Sequence, residues 1–284
     1  MPLPPTRCVE QSSTATVEAS HQCAVQREAG TLRRHSEHEH RRRKILRYQA
    51  VYIDEIAAAG KKIYDIPMYV NAAVGDPMGE GGFGYNSGGP VVRVLDIWKK
   101  AAPSIDLLCP DIYTPAKEYY THFCNAYARD DNPLFIPESG FRGTSGALNV
   151  IRAIADYGAI GVCCFGAESA LDENDEVNEE SQETDISFQM VRNIDPLLIK
   201  YHETRNIRSL IQKEFMACKL IQLPNYRITA HFQPNRRMRR QNIEGSRGRG
   251  FLVQTGENEF FLTGDNVELD FVAWADPEEE NLYA

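Results

Sequence analysis

Residues 105–139 read IDLLCPDIYTPAKEYYTHFCNAYARDDNPLFIPES, and this stretch decides the fold. An apolar run ending in CPDIY, an amphipathic segment, and a second apolar run ending in FIPES form a strand, a helix and a strand. Continuous apolar strands separated by helices are the pattern of a parallel sheet covered by helices.

The alternation continues on both sides of this unit. Upstream, LRYQAVYIDEIAAAG (46–60) is helical, with Tyr48, Tyr52 and Ile56 at four-residue spacing and Gly60 placed to end it. Strand IPMYVNAA (66–73), a glycine-rich loop (75–90) and helix VVRVLDIWKKAA (91–102) follow. Downstream come helix GALNVIRAIADYG (146–158), strand IGVCCFGAES (160–169) and helix ISFQMVRNIDPLLIKYHE (186–203). From about residue 206 the period changes to two. In VELDFVAW, Val267, Leu269, Phe271 and Ala273 fall on one strand face. FLVQTGENEFFLTG (251–264) reads as two strands around a polar turn, so the C-terminal part is a small all-β, sandwich-like domain.

Composition narrows the classes. The chain has 284 residues, 42% hydrophobic and 25% charged, which excludes collagen, mucin and wholesale disorder. No stretch approaches the roughly 20 apolar residues of a membrane helix, and no secretory signal is visible, so neither a membrane span nor export is expected. Residues 1–48 carry nine Lys/Arg and five Asp/Glu, a net of +4; the chain's formal −9 therefore leaves −13 on residues 49–284. Such an acidic body repels nucleic-acid phosphates. Seven cysteines without a CxxC pair argue against a disulfide framework or a zinc site. Cys109, Cys163 and Cys164 lie in apolar runs and read as small buried hydrophobes. Residues 1–46 read as a disordered basic tail, and its His35, His38 and His40 as solvated.

Chemistry is expected where strands end. Asn71 closes MYVN, Asp111 and Tyr113 close CPDIY, Glu138 closes FIPE and Glu168 closes FGAE. In (β/α) barrels these ends share one mouth, where catalytic groups gather. Two carboxylates there suggest glycoside hydrolysis, one attacking the anomeric carbon and one protonating the departing oxygen. Tyr113, Phe141, Phe165, Phe83 and Tyr85 are the aromatic candidates to face a sugar.

PMYVNAAV, the SGGP loop, VLDIWKKAAPSIDLLCPDIY and above all NPLFIPES resemble the second half of the catalytic barrel of the β-galactosidase-like enzymes of glycoside hydrolase family 35. GRGFLVQTGENEFFLTGDNVELDF resembles the β-rich domain, of unassigned function, that follows the barrel in one branch of that family. The resemblance covers about residues 49–274. It implies a nucleophile at the end of the seventh barrel strand, matched by Glu138, and an acid/base in an Asn-Glu pair ending the fourth. Tyr113 would hydrogen-bond the nucleophile, and Asn71, Asp111 and Glu168 would line the sugar pocket. No metal or organic cofactor is implied.

The departure from the family lies upstream. Nothing before residue 49 resembles the first four strands, and the expected Asn-Glu pair is missing there. Asn258-Glu259 occurs only on a turn in the β-rich domain. Losing general-acid help costs about 10²- to 10⁴-fold in rate. A fifth strand without a fourth exposes unpaired backbone groups, so self-association through the open barrel edge is expected.

Eight acids between 172 and 185 lack the glycine of a calcium loop and read as a solvated loop over the pocket mouth. GEGGFG (79–84) lacks the spacing of a phosphate-binding loop. Arg236, Arg237, Arg239, Arg240, Arg247 and Arg249 with their glycines are the feature that would suit RNA, but they fall between strands and lack interleaved aromatics.

The resulting expectation is an α/β fold, a partial (β/α)8 TIM barrel of about four units resembling strands five to eight over 47–205, followed by an all-β domain over 206–284. The expected function is retaining cleavage of terminal β-galactosides in a truncated chain, with a β-galactoside or galactose-containing oligosaccharide as partner. The alternative is a non-catalytic glycan-binding or scaffold fragment.

Overall fold

Side-chain alternation along the strands builds the first half of the chain. The computed structural model describes residues 44–75, 89–140, 142–202, 204–213, 216–232 and 247–274. The basic tail to residue 43, the loop bearing Phe83 and Tyr85, Phe141, and Arg236, Arg237, Arg239 and Arg240 lie outside the described residues.

Strand β1 (Tyr69–Ala73) pairs in parallel with β2 (Leu107–Ile112). The next run divides at Pro137 into β3 (Phe135–Ile136) and β4 (Glu138–Ser139). β4 pairs with β2, and β3 pairs with β5 (Gly161–Val162), all parallel. The strands are therefore ordered as they occur in the chain. No closed barrel forms among the described residues, and the outer edge of β1 has no partner strand among them.

Helices cover one face of this sheet. They are α1 over 44–63, α2 (Leu95–Ala101), α3 (Lys117–Tyr127) and α4 (Gly143–Tyr157). Leu108, Ile112, Leu134 and Ile136 are buried with Trp98, Phe123 and Tyr127 in one apolar cluster beneath them. Asn132 pins β2 to the start of β3: its Oδ1 accepts from Leu108 N at 2.8 Å, and its Nδ2 donates to Leu108 O at 2.9 Å.

One expectation about α1 is corrected. Gly60 does not end the helix, which runs on to residue 63; a Cβ there would stand 3.0 Å from Met68 Cε, so glycine serves close approach. Tyr48, Tyr52 and Ile56 form a stripe, but an exposed one, Tyr48 being 65% accessible. The buried side of α1 is carried instead by the small residues Ala50 and Ala57. Among the cysteines, Cys109 is buried, whereas Cys163 is exposed and Cys164 partly so. No helix among the described residues is long and apolar enough to cross a membrane.

The C-terminal part is β-rich, as its period-two pattern requires. β6 (Ile207–Ile211), β9 (Arg249–Gly256) and β10 (Glu259–Asp265) form one antiparallel sheet, ordered β10-β9-β6. β7 (Cys218–Gln222), β8 (Tyr226–Phe232) and β11 (Val267–Ala273) form another, ordered β11-β8-β7. Leu210 and Leu252 of the first meet Ile221, Ile228, Ala230 and Phe232 of the second in a shared core. Asn258 lies on the β9–β10 turn and Glu259 opens β10.

Helix α5 (Gln182–Tyr201) joins the two parts. Its Met190 and Ile194 pack with Leu148 and Ile151 of α4 and with Ile207, Phe251 and Val253 of the β-rich part. At the N-terminal end of α5, Glu183 accepts from Thr144 Oγ1 at 3.1 Å and pairs with Arg249 Nη1 at 2.9 Å. Arg249 is wholly buried, and Asp265 stands 3.6 Å from its Nη2. Arg249 therefore belongs to the core and is not part of a nucleic-acid surface. The glycines beside it serve contact too: a Cβ on Gly248 would stand 2.5 Å from Asn266 O, and one on Gly250 would collide with Thr263 O.

Removing one partner of a buried ion pair costs about 3–5 kcal/mol, because the other charge is left behind. Glu183→Ala is therefore expected to destabilise the chain more than Arg249→Met, which removes the buried cation and leaves carboxylates that reach solvent. Urea melts of both variants check the order.

Candidate functional site

The helix-facing residues of β2 are Leu108 and Ile112, so Cys109, Asp111 and Tyr113 must face the other way. Register places β1 on the same plan: Asn71 lies beside Cys109 and Ala73 beside Asp111. Glu138 is the register partner of Asp111 across β2 and β4. The break at Pro137 supplies one extra residue, so Ile136 stays under the helices while Phe135 and Glu138 both turn to the open face. Phe135 meets the ring of Tyr69 edge-on there, centroids 5.2 Å apart.

The open face thus has an apolar end and a polar end. At the polar end, the Tyr113 hydroxyl donates to Glu138 Oε1, and Asn71 Nδ2 donates to Glu138 Oε2 at 3.3 Å. The carboxylate is held from both sides, by Asn71 on β1 and by Tyr113 one residue past the end of β2. Asp111 sits deeper: its Oδ1 is buried and has no hydrogen-bond partner among the described residues. Burial pushes the Asp111 carboxyl up to about 6, the charge of Glu138 pushes the same way, and the Asn71 side chain opposes both. Loss of water, the bond to Glu138 and the nearby negative charges together raise the Tyr113 phenol far above its ordinary range, so it is a donor at any physiological pH. Cys109, pushed up to about 12 by burial and by Asp111, is an inert thiol behind the site.

Four of the five residues singled out from the sequence, Asn71, Asp111, Tyr113 and Glu138, are therefore brought together. Glu168 is not joined to them. β5 ends at Val162, and Gly166, at φ 68°, turns the chain into a short 3₁₀ helix (Ala167–Ala170) that carries Glu168 exposed, its carboxylate without a hydrogen bond or ion pair among the described residues. Phe165 reaches the site instead, its ring 6.5 Å from that of Tyr113 in an edge-on arrangement. These two rings, Gly140 and Arg142 border a cleft of about 450 Å³ beside Glu138's strand. Asn149 of α4 also lines it. The sequence reading passed over Asn149 and Arg152, although two long polar residues inside the apolar run LNVIRAI were a signal of buried polar structure.

The acidic segment is ordered by its own turn. Leu171 and Val177 form a bridge, and Asp172 Oδ1 accepts from the backbone N–H groups of Asn174 and Glu176 at 2.8 and 3.0 Å.

Residues 185–282 match the family model described as a domain of unknown function, DUF5597. The match begins inside α5 and runs through the β-rich part, ahead of the division at 206 drawn from the change of period. Packing explains the earlier start, since α5 shares its core with β6 and β9. No curated protein matches the chain.

Asp111 makes a pH prediction. Its folded-state value is raised above that of an exposed aspartate, so its stabilising contribution is complete below about pH 4 and is lost as pH rises through about 6. Asp111→Asn is neutral throughout. Its Tm relative to the natural chain is expected to be most favourable near pH 7 and to fall back as the pH is lowered; a pH-independent difference would show that Asp111 titrates like a surface acid.

Proposed function

We propose that this chain is the nucleophile-bearing part of a retaining, β-galactosidase-like glycoside hydrolase of family 35, built on a partial (β/α)8 barrel. The observation that carries the proposal is Glu138, gripped by Tyr113 and Asn71 at the carboxyl ends of parallel strands on the face that helices leave open. Strands that follow one another in sequence order, all parallel, with helices toward one face, are what a segment of a barrel looks like. The family match concerns α5 and the β-rich part and bears on neither substrate nor reaction.

In the proposed reaction, a Glu138 oxygen bonds to the anomeric carbon as the glycosidic C–O bond breaks, and the bonding pair leaves with the aglycone oxygen. Water later cleaves the glycosyl ester and returns Glu138 as a carboxylate. Tyr113 and Asn71 fix the attacking oxygens. A poor leaving group needs a proton at departure, and Asp111, the other carboxylate on this face among the described strands, is set back with one oxygen buried. That setting favours a second reading, glycan binding without turnover.

A 2-fluoro aryl β-galactoside separates the two, because its phenolate leaves without a proton. Mass spectrometry is expected to find one covalent label on Glu138, absent in Glu138→Gln. Tyr113→Phe is expected to slow labelling about 10- to 100-fold, the worth of a hydrogen bond to a charged group. Label elsewhere, or retained in Glu138→Gln, overturns the assignment; reversible binding alone favours the second reading.

The exposed stripe of α1 and the unpaired edge of β1 are where self-association would act. Sedimentation at rising concentration is expected to show larger species for the natural chain and fewer for Tyr48→Glu/Tyr52→Glu.

A further inference from the structure

A second cleft, of about 390 Å³, opens between α3, α4 and the end of β6. Lys117, Arg152, Lys213 and Arg247 line it, against a single acid, Glu118. None of the four cations forms an ion pair within the described residues. Arg152 is the unusual member. It is only 7% accessible, yet its one side-chain hydrogen bond among the described residues goes from Nη1 to the neutral Oδ1 of Asn149, itself 6% accessible. A buried guanidinium ordinarily faces a carboxylate, since five donors left without charge compensation are costly. Asp156, one turn along α4, acts on it only at longer range. The buried hydroxyl of Tyr120, also near this guanidinium, has no partner among the described residues.

Two helices add to the same field. Lys117 opens α3, and Ser145, in the first turn of α4, also lines the cleft, so both helix N-termini direct partial positive charge toward it. The cleft adjoins the one beside Tyr113 and Phe165, with Pro115 and Asn149 bordering both.

We infer that this junction is an oxyanion-binding site, with the Arg152 fork at its floor and Lys213 and Arg247 at its rim, which takes a sulfate or phosphate group. On the glycosidase reading, which this last step rests on, the oxyanion is borne by a glycan whose galactoside end lies at Glu138 and whose chain crosses the border of Pro115 and Asn149 between the two clefts. The substrate class is then an anionic galactan oligosaccharide. A sulfate or phosphate oxygen accepts from the guanidinium in the geometry that Arg prefers for tetrahedral oxyanions.

Calorimetry at low ionic strength tests the site with inorganic phosphate and inorganic sulfate, then with a sulfated galactotetraose and its desulfated form. The natural chain is expected to bind both inorganic anions saturably, and Lys213→Gln/Arg247→Gln to bind them at least about tenfold more weakly, each lost charge contact being worth a few-fold or more. Both residues are at the surface or near it, so this variant keeps the fold even where Arg152→Gln does not. The sulfated tetraose is expected to bind about tenfold tighter than the desulfated one, and only with the rim cations in place. Absence of saturable anion binding, or binding unchanged in the double variant, overturns the site. Anion binding as expected with equal affinity for the two tetraoses overturns the glycan assignment and leaves the free ion as occupant; labelling of Glu138 judges the enzyme reading independently.

Discussion

On β2, Leu108 and Ile112 are committed to the apolar layer beneath the helices, and a strand side chain has only two directions to choose from. That commitment leaves Cys109, Asp111 and Tyr113 no alternative to the opposite face. A slip of one residue would bury Asp111 among Trp98, Phe123 and Tyr127 and expose Leu108, and the burial of a charged group in such a layer would outweigh anything regained elsewhere. The site therefore rests on hydrophobic burial that takes place on its far side. Pro137 extends the same constraint to the next run, because the break there lets Ile136 and Glu138 satisfy opposite environments although they are two residues apart.

Within the site, the electrostatics separate two acids of similar origin. Glu138 receives two hydrogen bonds at the open end, whereas Asp111 has one oxygen shut away without a donor. Burial raises the Asp111 carboxyl, and the charge of Glu138, its register partner, adds to the push. The outer carboxylate is the accessible one, and Tyr113 and Asn71 approach it from β2's end and from β1, so its orientation is built into the sheet rather than into a loop.

Much of this was legible in the residues. Apolar runs and their polar ends located the four segments that hold β1 to β5, though not the division of the third at Pro137, and the period-two stretches located the β-rich part, because both signals report burial directly. The convergence of Asn71, Asp111, Tyr113 and Glu138 followed from parallel strands sharing one end. Where the reading fell short, the information was not local. FGAE resembles a strand end, but β5 stops at Val162 and the turn at Gly166 carries Glu168 away. The four-residue spacing of Tyr48, Tyr52 and Ile56 marks a helix but not its inner side, which Ala50 and Ala57 take. Nothing in the one-dimensional pattern announces that Arg152 would be enclosed without a carboxylate partner among the described residues, since its neighbours come from α3, β6 and the segment before β9.

The sequence SRGRG has the look of a flexible, cationic surface element, and the fold turns that appearance inside out. Gly248 and Gly250 draw β9 against its neighbours, and the guanidinium between them reaches inward to Glu183 of α5 and to Asp265. An excision that separates α5 from β9 would take Glu183 away and leave the Arg249 guanidinium with only the more distant Asp265 carboxylate among the described residues. The β-rich part is thus no portable module: whatever chain it is grafted to must bring an α5 equivalent with it, and the two parts should melt together in one cooperative step.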